Sequence, residues 1–512
     1  MQRHVLTRYL AVIATLVFVP ALAHAQAFGL TEIGSCAYAR GFTGTSAPCN
    51  DASVIYWNPG AAASLKGTSI YAGAAAIMID AKFTRDSALG AHTADVPTQI
   101  IPHLFLNRST GFGALGIGLY VPYGLTSQWK DDFPGRFLAK KAAIATFYVQ
   151  PNFAVSLANG KWQIGGGPVF GHSSVELVQS ADLADQVATV DSATNPAVRN
   201  AIVFSQLGIA RRTEFARATL KGSTNSIGLN FGVLGKLNDD WTVGFRYLSS
   251  LMMKYDNADA TFEQKQTGIV FAAGNALGYP AGTQFDTLQS IRSRFCEASG
   301  AAMPNPFGGA AATCTAKGFL GPQKVKTQIA HPDQMQFGFA YRGFKSWTVA
   351  VDYAWTGWRK FRELPVTFSN DTLSLCPTAK TAGDPACDYN VLNRTLLEDY
   401  NNTSSLRVGA EHTLQNGWLV RLGWAGVAAA APDETVTPLL PEQDRTYWSV
   451  GTGIPIMKDR VTLDAAYGFV LGTGRRGRID ERAARTVLAP AINSGVYDLH
   501  ANVLSLSLKA NF

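Results

Sequence analysis

The C-terminal stretch VLSLSLKANF (503–512) alternates strictly between two kinds of side chain. Leu504, Leu506 and Leu508 are apolar, whereas the two residues between them are serines. Because successive side chains of a β-strand point to opposite faces, the pattern predicts a strand with one apolar and one polar face. The same period recurs in WTVAVDYAWT (347–356) and in VTLDAAYGF (461–469), so the last strand is one of many.

Repeated alternation from residue 68 onward predicts an all-β chain. The expected strands, about fourteen in number, lie near residues 68–86, 97–109, 112–122, 142–158, 161–178, 217–237, 240–264, 322–343, 346–370, 402–415, 417–431, 443–456, 459–475 and 499–512. A soluble sandwich would also alternate, so the connections between strands must decide between the two architectures.

These connections alternate between short turns and long loops. Short turns include Asn159-Gly160 and Gln415-Asn416-Gly417, and the long loops cover roughly 87–96, 123–141, 179–216, 265–321, 371–401, 432–442 and 476–498. Short turns on one side and long loops on the other, with an even number of strands, are typical of bacterial outer-membrane barrels. The sequence therefore predicts a 14-stranded antiparallel transmembrane β-barrel.

The tryptophans support a membrane barrel. Trp162, Trp241, Trp347 and Trp418 each follow a short turn, while Trp355, Trp424 and Trp448 fall near the far ends of strands. Indole rings prefer the boundary between lipid and water, so two aromatic girdles are expected. The C-terminal aromatic Phe512 is typical of the same class of protein.

The N-terminal residues predict export. Arg3 and Arg8 precede an apolar run from Leu10 to Leu22, and Ala23-His24-Ala25 provides a cleavage site, so residues 1–25 are predicted to be a signal peptide. Only 16% of residues are charged, and the net charge of +7 is not concentrated in any Lys/Arg block. We therefore expect no nucleic-acid partner, and a surface compatible with anionic lipid.

Six cysteines form three local pairs, which are Cys36 with Cys49, Cys296 with Cys314, and Cys376 with Cys387. Export favours disulfides, although sequence alone leaves the connectivity open. A metal site or free thiols are the alternative, but no CxxC or His-rich spacing supports a metal. We expect disulfides, no metal and no cofactor.

Enzyme motifs are scarce. Gly111, Gly113 and Gly116 match a dinucleotide fingerprint, but that motif needs a helix after it, and here the glycines lie within the predicted third strand, which continues through Gly118. Neither GxSxG nor HExxH occurs. The chain is predicted not to be an enzyme, although an outer-membrane enzyme with a purely spatial triad is the less favoured alternative.

Two sets of residues remain as candidates for ligand contact. The loop around 201–215 carries Phe204, Leu207 and Ile209, which predicts either a self-packed loop or a landing surface for an apolar ligand. Arg246 and Arg421 alternate with their strand tryptophans and should point into the lumen. There they could be solvated, paired or in contact with ligand.

The segment SVIYWNPGAAASL (53–65) starts like a strand and breaks at Asn58-Pro59-Gly60. With FGLTEIGSCAYARGFTG (28–44), VPYGLTSQW (121–129), YAWTGWRKFREL (353–364) and LPEQDRTYWSVGTG (440–453), it resembles the outer-membrane long-chain fatty acid transporter family, which includes aromatic hydrocarbon channels. The resemblance runs from Phe28 to Phe512. It implies an N-terminal hatch at residues 26–67 inside a barrel formed by residues 68–512.

In that family an apolar ligand is caught among the outer loops, passes to an inner site and leaves sideways beside a kinked third strand. The resemblance places Phe28 and Leu30 at the inner site and assigns gating positions to Asn58, Pro59, Gly60, Gly111, Gly113 and Gly116. Gly60 stands where the family's Asn-Pro-Ala signature has alanine. His172 lies near a position where some members bind a carboxylate, so the resemblance leaves fatty acid or neutral hydrocarbon open as the substrate.

The sequence thus predicts a passive, ligand-gated outer-membrane channel for hydrophobic small molecules. Expected partners are these compounds, outer-membrane lipid with lipopolysaccharide, and the barrel assembly machinery, with the protein itself a monomer. A general diffusion porin is the rival prediction, since it would share the barrel but lack a hatch.

Overall fold

The computed structural model describes residues 27–86, 90–185, 187–190, 201–305, 307, 312–369, 394–457, 460–477 and 494–512. The predicted signal peptide lies outside these ranges, and so do Cys376 and Cys387. Among the described residues, none of the helices has the length and hydropathy needed to span a membrane.

Strands dominate the structure. They are β1 Thr68–Arg85, β2 Ala91–Thr93, β3 Gln99–Thr110, β4 Gly113–Tyr120, β5 Gly124–Gln128, β6 Lys141–Leu157, β7 Trp162–Asp182, β8 Val187–Val190, β9 Ala201–Val203, β10 Glu214–Lys236, β11 Trp241–Leu248, β12 Leu251–Gln264, β13 Gln323–His331, β14 Gln334–Tyr341, β15 Trp347–Thr356, β16 Glu363–Phe368, β17 Arg394–Leu397, β18 Thr403–Thr413, β19 Leu419–Val427, β20 Arg445–Met457, β21 Val461–Gly472, β22 Arg475–Gly477 and β23 Gly495–Asn511. Short α-helices are α1 Ser35–Ala39, α2 Val54–Trp57 and α3 Gln289–Arg292. Single 3₁₀ turns cover Pro59–Ser64, Pro134–Phe137, Leu183–Asp185, Phe204–Leu207, Phe285–Thr287, Ser293–Phe295, Trp358–Lys360 and Asp433–Thr435.

The sheet closes on itself as a barrel. Neighbouring strands pair antiparallel in chain order, and the last strand β23 returns to the first strand β1, from Ser69 opposite Asn511 to Arg85 opposite Gly495. Several wall strands are interrupted, for example between β11 and β12, so the pieces make a closed barrel of 14 strands. The predicted fold class is confirmed.

The two faces of the wall differ in polarity, as β23 shows. Leu504, Leu506 and Leu508 face outward and are 46%, 48% and 46% exposed, whereas the two serines between them are buried inside. Phe170, Ile227, Phe339 and many other large apolar side chains are exposed on the same outer face. Such an apolar outer band is the surface that contacts the hydrocarbon of an outer membrane.

The four tryptophans that follow short turns lie where a girdle is expected. Trp162, Trp241 and Trp347 open their strands, Trp418 directly precedes β19, and all four are partly exposed on the outer face. One girdle therefore lies at the end of the barrel where the short turns are.

Residues 27–67, which we call the hatch, precede the wall and lie against its inner face. Most of them are buried, including α1, α2 and the intervening turns. The Thr45 backbone N–H donates to Asp352 of β15 at 2.9 Å, and the Asn58 side chain donates to the Val233 carbonyl of β10 at 3.0 Å. The hatch therefore contacts strands far apart around the barrel.

Glycines in the wall let the hatch backbone approach closely. A Cβ on Gly244 would lie 2.0 Å from the Thr45 carbonyl oxygen, and a Cβ on Gly423 would lie 1.9 Å from the Gly41 nitrogen. Only glycine fits at such a distance. The abundance of glycine noted in the sequence is thus partly explained by the packing of the hatch.

The segment 53–65 forms no strand. Val54–Trp57 is helical, and after Asn58 the chain continues as the 3₁₀ turn Pro59–Ser64, which starts with proline. A Cβ on Gly60 would lie 2.6 Å from the Gly232 carbonyl oxygen. A close contact with the wall backbone therefore favours glycine at position 60.

Two of the three predicted disulfides are confirmed. Cys36–Cys49 lies within the hatch and Cys296–Cys314 in an outer loop. With both sulfurs of each pair in a bond, neither pair is available as a thiolate ligand for a metal.

The third predicted disulfide is not tested by the structure. It was expected between Cys376 and Cys387, and both residues lie outside the described ranges. A bond between Cys376 and Cys387 therefore stays a prediction. Gel mobility of the full chain after thiol alkylation, with and without prior reduction, would count the free thiols, and we expect none without reduction.

The hatch disulfide closes a loop of 13 residues. We expect the double variant Cys36→Ser/Cys49→Ser to lower the stability of the hatch by about 3 kcal/mol, the value for a loop of this size. Transient channel openings in planar bilayers should therefore become frequent. The variant Cys296→Ser/Cys314→Ser is the control, and equal opening by both variants would contradict a specific role of the hatch bond.

Candidate functional site

The wall has a window next to the hatch. The third wall strand is interrupted between Tyr120 and Gly124, so that β4 pairs with β3 and β6, whereas β5 pairs with β6 alone. No backbone ladder joins β3 to β5 in the part of the chain that the structure describes. Pro122 contributes to the break because it has no N–H to donate.

The window has defined edges. Toward the short-turn end it is closed by the pairing of Leu104 with Leu119, and toward the other end by the Asp95 N–H, which donates to the Gln128 carbonyl at 2.8 Å. Between these edges, the Thr126 hydroxyl donates to the Gln99 side chain at 2.9 Å. The opening is thus bridged by a side chain where a ladder would otherwise run.

The first residues of the hatch cover the window from inside. The Leu30 N–H donates to the Pro122 carbonyl at 2.8 Å, and the Gly124 N–H donates to the Phe28 carbonyl at 2.9 Å. Residues 28–30 therefore act as a short extra strand on the broken wall strand. The Ala27 N–H completes this attachment by donating to the buried Glu442 carboxylate at 2.5 Å.

A cavity of about 220 Å³ lies between the start of the hatch and the window. Its lining is mainly apolar and includes Leu30, Ile77, Ile101, Leu125, Val470 and Leu499. The outward-facing Ile100 and Phe147 also line it, so the cavity reaches the lipid-facing side of the wall. An apolar space with a few polar groups is the usual character of a site for small hydrophobic ligands.

The Phe28 side chain points away from this cavity into a cluster of rings. Its centroid lies 4.7 Å from Trp358, 5.3 Å from Phe361 and 6.0 Å from both Tyr123 and His331. We call these four residues the Phe28 cage. Leu30, two residues later, lines the cavity, so the side chains of the two residues assigned to the inner site have different surroundings.

A pair of buried carboxyl groups lies beside the hatch attachment. Glu442 accepts the Ala27 N–H and two further N–H groups, those of Ala430 and Ala431, at 2.8 and 2.6 Å. Burial raises the pKa of Glu398 to about 8, the nearby Glu442 carboxyl adds to this rise, and hydrogen bonding with Tyr400 opposes it. Burial likewise raises the pKa of Glu442, against the lowering effect of its N–H donors.

The raised pKa of Glu398 predicts that the attachment of hatch residues 27–30 depends on pH. Because the pKa of Glu398 is raised above its ordinary value of 4.5, the folded state binds a proton that the unfolded state loses, and stability decreases as the pH rises from about 4.5 to 8. We expect more frequent channel opening in planar bilayers at pH 9 than at pH 6. The variant Glu398→Gln should respond less to pH, and an unchanged response would contradict the role of this group.

Both predicted lumen arginines point inward. Arg246 is buried, donates to Asn230 and Gln334, and lies 4.2 Å above the ring of Tyr56 in the hatch. Arg421 forms ion pairs with two wall carboxylates, those of Glu411 at 2.7 Å and Asp464 at 2.5 Å. Neither arginine lines the cavity. Arg246 contacts the hatch and Arg421 pairs within the wall, so both have structural contacts.

His172 is not at the inner site. It lies on the exposed outer face of β7, with its Nδ1 atom 2.8 Å from the Asn225 side chain. The strand register places it one residue away from the inward-facing Ser173, and a shift by one residue moves a side chain to the opposite face. The resemblance that placed His172 near a carboxylate-binding position therefore does not bring it to the inner site with Phe28 and Leu30.

The predicted glycines lie differently from what the kinked strand suggested. Gly111 is in the turn before β4, Gly113 is the first residue of β4, and the strand breaks further on, at residues 121–123. Gly116 and Gly118 face inward, where added Cβ atoms would lie 2.7 and 3.3 Å from the hatch residue Ile55. These two glycines make room for the hatch, and the break itself belongs to the Pro122 region.

The apolar outer loop packs on itself. Phe204 is buried with its ring 5.4 Å from Phe285, in a cluster with Phe215, Phe271 and Phe295, and Ile209 packs against that cluster. Leu207 is half-buried. Self-packing is therefore observed, and a landing surface on the outside of this cluster stays a prediction.

Several central residues were not identified from the sequence. Tyr123, Trp358 and Phe361 stand in VPYGLTSQW and YAWTGWRKFREL, and Glu442 in LPEQDRTYWSVGTG, all of them stretches that carried the family resemblance. The signal was present in those stretches, but it did not single out positions. His331 had no such signal, since it is one of eight scattered histidines.

Comparison with known proteins agrees with this architecture. Residues 16–512 match the model of a family described as outer membrane protein transport protein (OMPP1/FadL/TodX). The long-chain fatty acid transport protein of Escherichia coli K12 is 23% identical over 457 residues, with 87% of each chain covered. The 47 kDa outer membrane protein of Pasteurella multocida is 22% identical over 467 residues, with 90% of each chain covered.

Solved structures share the fold. A FadL homologue of Pseudomonas aeruginosa superimposes with a TM-score of 0.70 and 18% identity, covering 95% of this chain and 100% of its own. The toluene transporter TodX of Pseudomonas putida gives a TM-score of 0.60 and 14% identity with the same coverage. These superpositions therefore cover nearly the whole chain, including both the barrel and its N-terminal segment.

Proposed function

The chain belongs to the outer membrane protein transport family, and on that basis we propose that it carries hydrophobic compounds across the bacterial outer membrane by a lateral route. Long-chain fatty acids and aromatic hydrocarbons are the two substrate classes that the relatives' names suggest. The observation that carries the route is the apolar cavity of about 220 Å³ between the hatch and the wall window.

The proposed route has three stages. An apolar compound first adsorbs at the outer-loop cluster of Phe204, Leu207 and Ile209. It then enters the cavity, where Leu30 and the attachment of residues 28–30 to the broken strand give way. Finally it leaves between β3 and β5 into the lipid, so it never crosses an aqueous pore.

Gating follows from the way the hatch is attached. A ligand can shift the hatch only if it binds the displaced state more tightly than the attached state. The attachment rests on a few hydrogen bonds, those of residues 27–30 to Pro122, Gly124 and Glu442. We propose that occupancy of the cavity competes with these bonds, with Asn58, Pro59 and Gly60 anchoring the rest of the hatch.

The mechanism needs no chemical step. We propose a passive transporter without enzymatic activity, working as a single chain that contacts outer-membrane lipid and lipopolysaccharide through its apolar band. Insertion by the barrel assembly machinery is part of the same proposal.

Uptake by cells tests the function. A deletion strain and the same strain carrying the gene are compared for uptake of labelled oleate and labelled toluene. We expect the gene to increase uptake of at least one compound. Equal uptake of both compounds by the two strains would overturn the proposal.

Liposome swelling separates this function from that of a general diffusion porin. Purified protein in liposomes should admit small sugars slowly, since the hatch fills the lumen. Rapid sugar entry would favour the porin, and hydrolysis of the liposome phospholipid would favour an outer-membrane enzyme.

A further inference from the structure

The Phe28 cage holds one benzene ring, and that ring belongs to the protein itself. Trp358 and Phe361 contact it edge to face, with interplanar angles of 75° and 83°. Phe28, Tyr123, His331, Trp358 and Phe361 are all buried. The cage is therefore shaped for a single six-membered aromatic ring.

Two polar atoms of this cage have no hydrogen-bond partner among the described residues. They are Nε1 of Trp358 and Nε2 of His331, and both belong to side chains that are 0% exposed. Buried polar groups are normally paired, because leaving them unpaired costs stability. The ring of Phe28 offers them no oxygen or nitrogen.

The chemistry of the two atoms indicates what they could bind. An indole N–H is a donor only, so Trp358 needs an acceptor. His331 Nδ1 lies 3.1 Å from the Tyr148 hydroxyl. If that hydroxyl donates to Nδ1, the ring proton is on Nε2, which then needs an acceptor as well; in the other tautomer Nε2 accepts. A hydroxyl oxygen satisfies either arrangement.

The surroundings favour a neutral group. None of the four cage side chains carries a fixed positive charge that would balance a desolvated carboxylate.

We propose that Phe28 occupies the place of a ligand ring, and that the cage selects monocyclic aromatic compounds carrying one neutral oxygen substituent, bound by Trp358 Nε1 and His331 Nε2. This inference rests on the proposed function and names one substrate class for it, which is aromatic compounds that carry a neutral oxygen and are therefore distinct from pure hydrocarbons. Phe28 would leave the cage when such a compound enters, which detaches the start of the hatch.

Phenol and toluene form a suitable ligand pair, because they differ only by a hydroxyl in place of a methyl group. Their dissociation constants are measured by calorimetry for the purified full-length protein in amphipol. Trp358→Phe and His331→Phe should each raise the dissociation constant of phenol about tenfold relative to that of toluene. This is the loss expected for one hydrogen bond to a buried donor. Phe28→Ala should tighten the binding of both ligands.

Matched controls are present in the chain. Trp355→Phe removes a tryptophan from the outer face of β15, and His172→Phe removes the outward histidine of β7, so neither should change the ratio. Folding is checked by the heat-dependent gel mobility of the barrel. His331 also bonds the Tyr148 hydroxyl, so the histidine variant can fail to fold. In that case the ratio measured for Trp358→Phe tests the proposal by itself.

The outcomes separate the two proposals. Binding of toluene and phenol with a ratio that Trp358→Phe leaves unchanged overturns the selection by oxygen and leaves transport of apolar compounds standing. Binding of neither ligand, together with equal uptake by deletion and complemented strains, overturns both.

Discussion

A barrel without residues 28–64 should admit small sugars at a rate at least about tenfold above that of the intact protein, because barrels of this size enclose an aqueous lumen unless something fills it. In the intact structure the lumen is occupied by α1, α2 and the 3₁₀ turn Pro59–Ser64. Liposome swelling with arabinose measures the effect directly.

Loss of the hatch also removes partners of the wall, among them the Thr45 N–H and the Ser46 hydroxyl that donate to Asp352. The deletion is therefore compared with Gly423→Leu, whose side chain would take the place of the Gly41 backbone and push the hatch aside. Both proteins must show the heat-dependent mobility of a folded barrel. Slow sugar entry through a folded deletion barrel would refute the role of the hatch as a plug.

Blocking the window should abolish transport while leaving the barrel closed to sugars. Ile101 of β3 lines the cavity and is 7% exposed. In Ile101→Trp the larger side chain must occupy the cavity, since the packed wall behind it cannot move far. We expect uptake of the transported compound to fall by about tenfold or more, the effect of losing at least about 1.4 kcal/mol of access.

The control for this variant is Ile227→Trp on β10, where the side chain is 64% exposed to lipid and far from the window. It should transport like the wild type. If Ile101→Trp also transports normally, the compound does not leave between β3 and β5. Continued transport with fast sugar entry would instead indicate passage through the lumen.

The fold could be predicted because the sequence of each strand alone shows which of its side chains face lipid and which face the lumen. In β23 the leucines face lipid and the serines face the lumen, so a period of two is visible without any tertiary information. The alternation of short turns and long loops then favours a membrane barrel over a soluble sandwich.

The site could be predicted only in part, because its geometry depends on contacts between distant segments. Phe28 was placed at the inner site by resemblance, but its cage joins residues more than three hundred positions apart, as far as Phe361. His172 shows the limit of such transfer, since an error of one residue in register reverses the face. The glycine-rich third strand suggested a kink, but the break is at Pro122. Gly116 and Gly118 instead leave room for the hatch residue Ile55.

The closure of the wall has a consequence for the order of events during biogenesis. The seam joins β1 to β23, the first and the last strand to leave the ribosome, and the hatch is tethered directly to β1. The wall can therefore close only after the last strand is present, and the hatch must lie inside before this seam forms. We expect a barrel without the hatch to leak, whereas a hatch that is present but misfolded should obstruct the seam. Such a chain should disappear by proteolysis in the periplasm, so its defect is one of yield.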